Sequence, residues 1–369
     1  MAAEQSNKLG SHVEMKKVWE LLVIIVVTAI VWNLPTTCFG IDGLTVVQQR
    51  IIAIFVFATL SWLTECIPAW ATSLSIMSIM CVTVSKNSFW IFKGDGVGEL
   101  LDSEEIMASF ADPIIMLFLA GFILAIAASK SGLDTLLARN LIKPFGNKSE
   151  NVLLGFLLIT GLFSMFISNT ATAALMLTFL TPVFAALPAN GKGRIALTMS
   201  IPVAANLGGM GTPIGTPPNL IALKYLNDPA GLNMKIEFMH WMAFMAPLVI
   251  ILLLLSWRII LYFFPFTQKT IHLKIDGEVH RGWRMWVVII TFIVTILLWV
   301  IPKKVTGIDT NTVSMIPMAV FAITGVITAK DMQDINWSVI WMVAGGFAIG
   351  LGMNGSGLAD AAIESIPFG

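Results

Sequence analysis

Residues 164–172 have the sequence SMFISNTAT, a short polar run inside a long apolar segment. A second interruption, GGMGTPIGTPPN, occupies 208–219 of another apolar segment. In hydrocarbon every backbone N–H and C=O needs a partner, so non-helical backbone survives only where it lines a cavity or is buried in protein. Both interruptions are rich in small hydroxyl and amide side chains and contain no lysine or arginine. Together they predict a binding site for a small solute inside a membrane.

The composition indicates an all-α polytopic membrane protein. Hydrophobic residues make up 57% of the 369 residues and charged residues only 12%, whereas soluble domains carry about 25% charged residues. The formal net charge of +0 and the lack of a basic stripe predict no nucleic-acid partner. The cysteines, Cys38, Cys66 and Cys81, have no C-x-x-C spacing, so neither a disulfide framework nor a zinc site is indicated. Because H-E-x-x-H, G-x-S-x-G and Walker A motifs are missing, we expect neither an enzyme nor an ATP-driven pump.

The apolar segments predict the membrane spans. A helix needs about 20 apolar residues to cross a bilayer. The run after Lys16-Lys17 is too long for a signal-peptide core and is predicted to be a retained first helix. The predicted spans are 18–34, 48–66, 70–84, 113–128, 195–226, 238–264, 284–301, 311–328 and 336–353.

Three segments depart from simple spans. Residues 149–187 are too long for one helix and carry the polar run near the middle, which predicts a re-entrant hairpin. The span 195–226 is predicted to be a broken helix because the Gly/Pro segment interrupts it. Residues 133–144 are amphipathic, with Arg139 and Lys143 on one side, and are expected to lie along the membrane interface.

The loop charges predict a cytoplasmic N-terminus. In that orientation the inner loops hold twice as many lysine and arginine residues as the outer loops, in agreement with the positive-inside rule. The inner group includes Lys274 and Arg281, and the outer group includes Arg50.

An internal repeat is visible in the sequence. AGF at 120–122 and SGL at 131–133 are echoed by GGF at 345–347 and SGL at 356–358, both at an offset of 225 residues. An odd number of predicted spans separates the copies, and this indicates the inverted-repeat plan of many secondary transporters. A copy of Ser168-Asn169-Thr170 would fall near position 393, after Gly369. The second repeat is therefore expected to be incomplete, and the chain is expected to hold half of a site and not to transport by itself.

The two interruptions favour an anion and a hard cation as ligands. Half-helices that meet at a hairpin tip present free N–H groups and a positive dipole end, which can hold an anion without a fixed cation. Carbonyl groups freed by the break in 195–226 can coordinate Na⁺. The alternatives are that Ser164 and Thr172 only bond to the carbonyl four residues earlier, and that the Gly/Pro segment is only a packing kink.

At these residues the chain resembles the divalent anion:sodium symporter (DASS) family of dicarboxylate, citrate and sulfate transporters. The resemblance covers nearly the whole chain and is carried by SNT at 168–170 in a hairpin and by GTPIGTPPN at 211–219 in a broken helix. Family members have a second such hairpin and loop, which this sequence lacks. The resemblance implies a substrate site of Ser168, Asn169, Thr170, Thr212 and Pro213, and a Na⁺ site of Ser164, Ser168, Asn169 and the backbone of Gly208, Gly209 and Gly211.

The resemblance also implies a function. It implies Na⁺-coupled symport of a small divalent anion, such as the C4-dicarboxylate succinate, by an elevator mechanism in a homodimer. The scaffold domain would be 1–145 and 269–369, and 146–268 would form half of the transport domain. We expect Na⁺ as coupling ion, no organic cofactor, and a multi-pass location in the plasma membrane, which in a prokaryote is the inner membrane. Na⁺-independent exchange, transport of sulfate or another anion, and a non-transporting membrane scaffold remain the alternatives.

Overall fold

The computed structural model describes residues 2–185, 187–189, 191–228, 232–271 and 282–365. Within these ranges the chain is helical, has no β-strand and forms two isolated β-bridges. Five of the described helices are long and apolar enough to cross a membrane. The structure therefore confirms the predicted fold class, an all-α polytopic membrane protein. The inverted repeat stays a prediction.

Seventeen α-helices occupy most of the described chain. They are α1 Ala2–Asn33, α2 Val46–Thr64, α3 Ala69–Thr83, α4 Ser103–Ala108, α5 Pro113–Ser131, α6 Leu133–Ile142, α7 Ser149–Ser164, α8 Asn169–Ala185, α9 Lys192–Gly209, α10 Pro217–Asn227, α11 Phe238–Phe263, α12 Trp283–Val300, α13 Lys303–Thr306, α14 Thr310–Val313, α15 Met315–Ile323, α16 Trp337–Gly355 and α17 Leu358–Glu364.

Most predicted spans coincide with one helix, and two features were not predicted. The short helix α4 begins after Asp102, whose side chain accepts a hydrogen bond from Glu104 N. The predicted span 311–328 begins with α14, which Asp309 caps with bonds from Asn311 N and Thr312 N, and is divided at Ser314 from α15. Pro317 has no N–H to donate to the Val313 carbonyl, so the helical bonding is interrupted there. Lys274 and Arg281, which contributed to the predicted orientation, lie outside the described residues.

One compact unit comprises Met1–Ile115 and Asn336–Gly369. In this unit α16 packs against α3 and α2. Gly345 makes the close contact possible, since a Cβ there would lie 2.6 Å from the side chain of Ser73. Small residues commonly allow membrane helices to approach in this way.

Arg50 belongs to α2 and its side chain is buried, whereas the predicted orientation places it among the cations of the outer loops. Its Nη1 donates to Thr83 O at 3.0 Å and to Phe92 O at 2.8 Å. The guanidinium also lies over the rings of Trp32 and Phe92. Arg50 therefore joins the end of α3 to the following segment, and its charge is satisfied by carbonyl and ring contacts inside the protein.

The second compact unit is Met116–Ile335. Its core lies among α7, α8, α9 and α11, with α9 in contact with the other three. Ser149 N donates to Lys269 O at 3.1 Å, and Ile271 N donates to Asn147 O at 2.7 Å. The start of α7 and the segment after α11 therefore lie at the same end of the unit, as the predicted alternation of spans requires.

The two copies of the SGL motif share a local conformation. Gly132 follows α5 with φ of 73°, and Gly357 follows α16 with φ of 71°. Each glycine directly precedes a further helix, α6 or α17. A positive φ favours glycine, so both copies of the motif carry glycine where the backbone takes the same left-handed conformation.

Candidate functional site

The hairpin turn lies where the polar run predicted it. Helix α7 ends at Ser164 and α8 begins at Asn169. Ile167 N donates to Phe163 O at 2.8 Å, and Thr172 N donates to Ser168 O at 2.9 Å. Ser168 Oγ accepts from Ala171 N at 3.3 Å, which caps the first turn of α8. The turn therefore places the N-terminus of α8 next to the last residue of α7.

Ser164 is fully buried and lies at the centre of a group of oxygen atoms. Its Oγ is 2.7 Å from Asn169 Oδ1 and 2.7 Å from Ala205 O of α9. Thr172 is also fully buried, and its hydroxyl has no hydrogen-bond partner within the described residues. Neither hydroxyl bonds to the carbonyl four residues earlier. This finding removes the alternative in which both residues only support their own helices.

The broken helix is held open by its own amide and proline residues. Helix α9 ends at Gly209, and α10 begins with Pro217, a favourable residue for the first helical position. Asn219 is buried, and its Nδ2 donates to Gly209 O and Thr212 O, each at 2.8 Å. The break is thus an ordered loop with satisfied carbonyl groups. A packing kink would need only one proline and no such amide.

Glycines bring the hairpin and the broken helix into direct contact. A Cβ on Gly208 would lie 2.2 Å from Gly161 O of α7, and a Cβ on Gly209 would lie 2.6 Å from Asn169 Oδ1. Thr212 Oγ1 also donates a hydrogen bond to Met165 O in the hairpin turn. The structure therefore brings together Ser164, Asn169, Gly208, Gly209 and Thr212 of the predicted site.

The other predicted site residues lie around this contact. Ser168 is half-buried at the hairpin tip, and Thr170 is exposed in the first turn of α8, with no side-chain hydrogen bond within the described residues. Pro213 is buried in the loop. Gly211 is also buried, and a Cβ there would lie 2.7 Å from Met165 Cε.

The site is polar but has no ionisable side chain. Segments 164–172 and 206–219 contain only apolar residues, glycine, proline, serine, threonine and asparagine. The fixed partial charges therefore come from backbone groups, with the positive end of the α8 dipole directed at the hairpin turn. Such a site can hold an anion and a cation together, because each offsets the charge of the other.

The structure adds three groups that sequence reasoning missed. Asn206 of α9 accepts a hydrogen bond from Asn169 Nδ2 at 3.2 Å, and Ala205 contributes its carbonyl. Trp241 Nε1 donates to Met210 O at 3.0 Å. An asparagine within an apolar helix was a signal for Asn206, since such residues are costly in hydrocarbon. No sequence pattern pointed to the Ala205 carbonyl.

The citrate transporter family CitMHS matches residues 55–368, which is most of the chain. The chain belongs to this family. A sodium-dependent dicarboxylate transporter, SdcS, from Staphylococcus saprophyticus is 31% identical over 92% of this chain and 69% of its own length. The SdcS protein of Staphylococcus aureus is 32% identical over 84% of this chain and 63% of its own length. These relatives confirm the resemblance to the divalent anion:sodium symporters.

Relatives of this citrate transporter family member include a eukaryotic protein. The inorganic phosphate transporter PHO87 of Saccharomyces cerevisiae is 29% identical over 93% of this chain, which spans 36% of that protein. The chain thus spans only part of the relatives it matches. All of these relatives are transporters, which confirms that the chain belongs to a class of membrane transport proteins and not of enzymes.

Proposed function

We propose that the protein is a secondary transporter that couples Na⁺ to the movement of a small divalent anion, such as the C4-dicarboxylate succinate. The observation that carries the proposal is the contact between the hairpin and the broken helix, where Ser164 Oγ lies 2.7 Å from both Asn169 Oδ1 and Ala205 O. The sodium-dependent dicarboxylate transporters among its relatives support the same choice.

Na⁺ is proposed to bind at the oxygen atoms around Ser164. Hard cations take oxygen ligands, and Ser164 Oγ, Asn169 Oδ1 and the hydroxyl of Ser168 are available from the hairpin. The carbonyls of Gly208 and Gly211 complete the proposed set from the broken helix. The Gly209 carbonyl already accepts from Asn219 and has one lone pair left for a cation.

The anion is proposed to bind at the N-terminus of α8. The backbone N–H groups of Asn169 and Thr170 belong to the first turn, where a helix offers free donors to an anion. The exposed hydroxyl of Thr170 lies on the same turn, and Ser168, Thr212 and Pro213 border it in the proposed site. Bound Na⁺ offsets part of the charge of the dianion, which explains why lysine and arginine are not needed.

The transport mechanism, the oligomeric state and the orientation in the membrane are proposed from the resemblance to the family. We propose an elevator movement of a transport domain that includes 146–268 against a scaffold that includes 1–145 and 269–369, in a homodimer. The N-terminus is proposed to be cytoplasmic in a plasma membrane. Sulfate and phosphate are the competing substrates, and the phosphate transporter among the relatives is a specific reason to test them.

Uptake in the presence and absence of Na⁺ tests the proposal. Cells that express the protein are given labelled succinate in NaCl and in choline chloride, and unlabelled citrate, sulfate and phosphate are added as competitors. For a carrier that contains both hairpins of the family, we expect uptake in NaCl that is lost in choline chloride and is reduced by other dicarboxylates. Equal uptake in both salts would replace symport with Na⁺-independent exchange, and strong competition by phosphate or sulfate would change the substrate class.

A further inference from the structure

The oxygen atoms around Ser164 outnumber the protons available to join them. Ser164 Oγ has two neighbours at 2.7 Å, Asn169 Oδ1 and Ala205 O, and both are acceptors. A serine hydroxyl carries one proton and can make only one full hydrogen bond, or share the proton between the two acceptors. The remaining close pair of oxygens has no full hydrogen bond between them, and a cation bound beside them would offset their repulsion. Ser164 Oγ, Asn169 Oδ1 and Ala205 O, which we name the oxygen triad, thus have the character of a cation site.

The triad exists only while the amide of Asn169 keeps one orientation. An asparagine side chain has an acceptor oxygen on one side and an NH₂ donor on the other, and a rotation of the amide exchanges them. Asn169 Nδ2 lies 3.2 Å from Asn206 Oδ1, and Asn206 makes no other side-chain hydrogen bond within the described residues. An acceptor at this position holds the NH₂ of Asn169 toward α9, so that Oδ1 faces Ser164.

We infer that Asn206 is a positioning residue for the cation site, and that the Ala205 carbonyl next to it is a further cation ligand. The inference rests on the proposed Na⁺ site. Asn206 acts through Asn169, because its oxygen determines which atom of the Asn169 amide faces the triad. Its own side chain is exposed on α9, so replacement removes this hydrogen bond without opening a cavity in the core.

Aspartate and leucine at this position separate the inference from a purely structural role. Asn206→Asp keeps an oxygen acceptor for Asn169 Nδ2, and Asn206→Leu has similar size but no acceptor. In the opposite orientation of the Asn169 amide, Asn206 would have to donate. A carboxylate cannot donate, so Asn206→Asp would then be as damaging as Asn206→Leu.

The experiment measures Na⁺ binding by thermal stabilisation. A ligand at concentration c that binds only the folded state stabilises it by RT ln(1 + c/Kd), so the rise in melting temperature shows how far the Na⁺ concentration exceeds Kd. The purified chain and its variants are melted in a series of NaCl concentrations, with choline chloride added to keep the ionic strength constant. Asn206→Ala accompanies the leucine variant, so that the outcome does not depend on the folding of one protein. Thr198→Val is the matched control, since Thr198 is also exposed on α9 and its hydroxyl donates to Arg194 O of its own helix.

We expect Asn206→Leu and Asn206→Ala to need about tenfold more Na⁺ for the same rise in melting temperature, as the loss of one hydrogen bond to a charged site predicts. Asn206→Asp should need no more Na⁺ than the original chain, and Thr198→Val should match it. An unchanged Na⁺ requirement in the leucine and alanine variants, or an aspartate variant as impaired as they are, would overturn the inference. If the original chain is not stabilised by Na⁺ over choline, the proposed Na⁺ site itself fails.

Discussion

Ser164 combines complete burial with two close oxygen neighbours from different parts of the chain. A buried hydroxyl usually completes one hydrogen bond to its own helix, whereas Ser164 connects the end of α7 to the start of α8 and to α9. The side chain of Ser164 therefore links three helices, α7, α8 and α9, at the point where they meet.

Replacement of Ser164 by alanine should weaken the Na⁺ response. The change removes one oxygen ligand and leaves Asn169 Oδ1 and Ala205 O without the hydroxyl proton, so we expect at least about tenfold more Na⁺ to be needed for the same rise in melting temperature. Thr160→Val is the matched control, because Thr160 is buried one turn earlier in α7 and its hydroxyl has no partner within the described residues. It should leave the Na⁺ effect unchanged; equal Na⁺ effects in the alanine variant and the original chain would contradict the proposed ligand.

At the scale of elements, the contact between α7 and α9 depends on a glycine pair. A Cβ on Gly208 would lie 2.2 Å from the backbone oxygen of Gly161, and a backbone oxygen cannot rotate away as a side chain can. The two helices thus approach to a distance that any larger residue prevents.

Gly208→Ala should therefore separate α9 from the hairpin. Overpacking of this kind costs about 1–3 kcal/mol, so the melting temperature should fall and the Na⁺ effect should weaken together. Gly121→Ala in α5 serves as control, since its Cβ would meet Ile214 at an ordinary 3.4 Å and alanine favours the helix. If both variants melted alike, the glycine contact would not be the constraint that the geometry indicates.

An ion pair joins the end of α5 to the short segment before α16. Lys130 Nζ lies 2.5 Å from Asp331 Oδ2, and the same carboxylate accepts from Thr328 N and Thr328 Oγ1. Together, the bonds from Lys130 and Thr328 lower the pKa of Asp331 to about 2. An aspartate in an unfolded chain has a pKa of about 3.9.

This pKa difference predicts a pH dependence of stability. Because the folded-state pKa is the lower one, the stabilisation is fully present above about pH 4 and is lost as the pH falls toward 2. Asp331→Asn should thus melt at a lower temperature than the original chain near neutral pH, and the gap should close in acid. Melting curves over this pH range measure the gap. A gap that stayed constant down to about pH 2 would show that the ion pair does not titrate as described.

Much of the element pattern could be predicted from the sequence. Apolar length placed the single-helix spans, and the polar run and the Gly/Pro segment placed both helix breaks. The division of 311–328 was missed because hydropathy does not register the backbone hydrogen bond that Pro317 cannot make to Val313 O. The burial of Arg50, the Ala205 carbonyl and the Asn169–Asn206 bond were missed for a different reason. Each depends on atoms from separate segments, and only the packed chain brings those atoms together.

At the scale of the whole molecule, Cys38 reports the orientation in the membrane. With a cytoplasmic N-terminus, the segment between α1 and α2 lies outside, and there Cys38 is exposed while Cys66 is buried and Cys81 is half-buried. A membrane-impermeant maleimide should label intact cells that express the protein, and Cys38→Ser should remove the label. Labelling that required permeabilised cells would reverse the proposed orientation.

The uncharged character of the site has an electrical consequence. Moving one elementary charge through the membrane potential changes the free energy by about 2.3 kcal/mol per 100 mV. Segments 164–172 and 206–219 carry no ionisable group, so these segments of the empty carrier bring no side-chain charge through the field in the proposed cycle. At these segments the voltage acts only on the cargo, so the surplus of Na⁺ over anion charge determines their contribution to the current that accompanies each turnover.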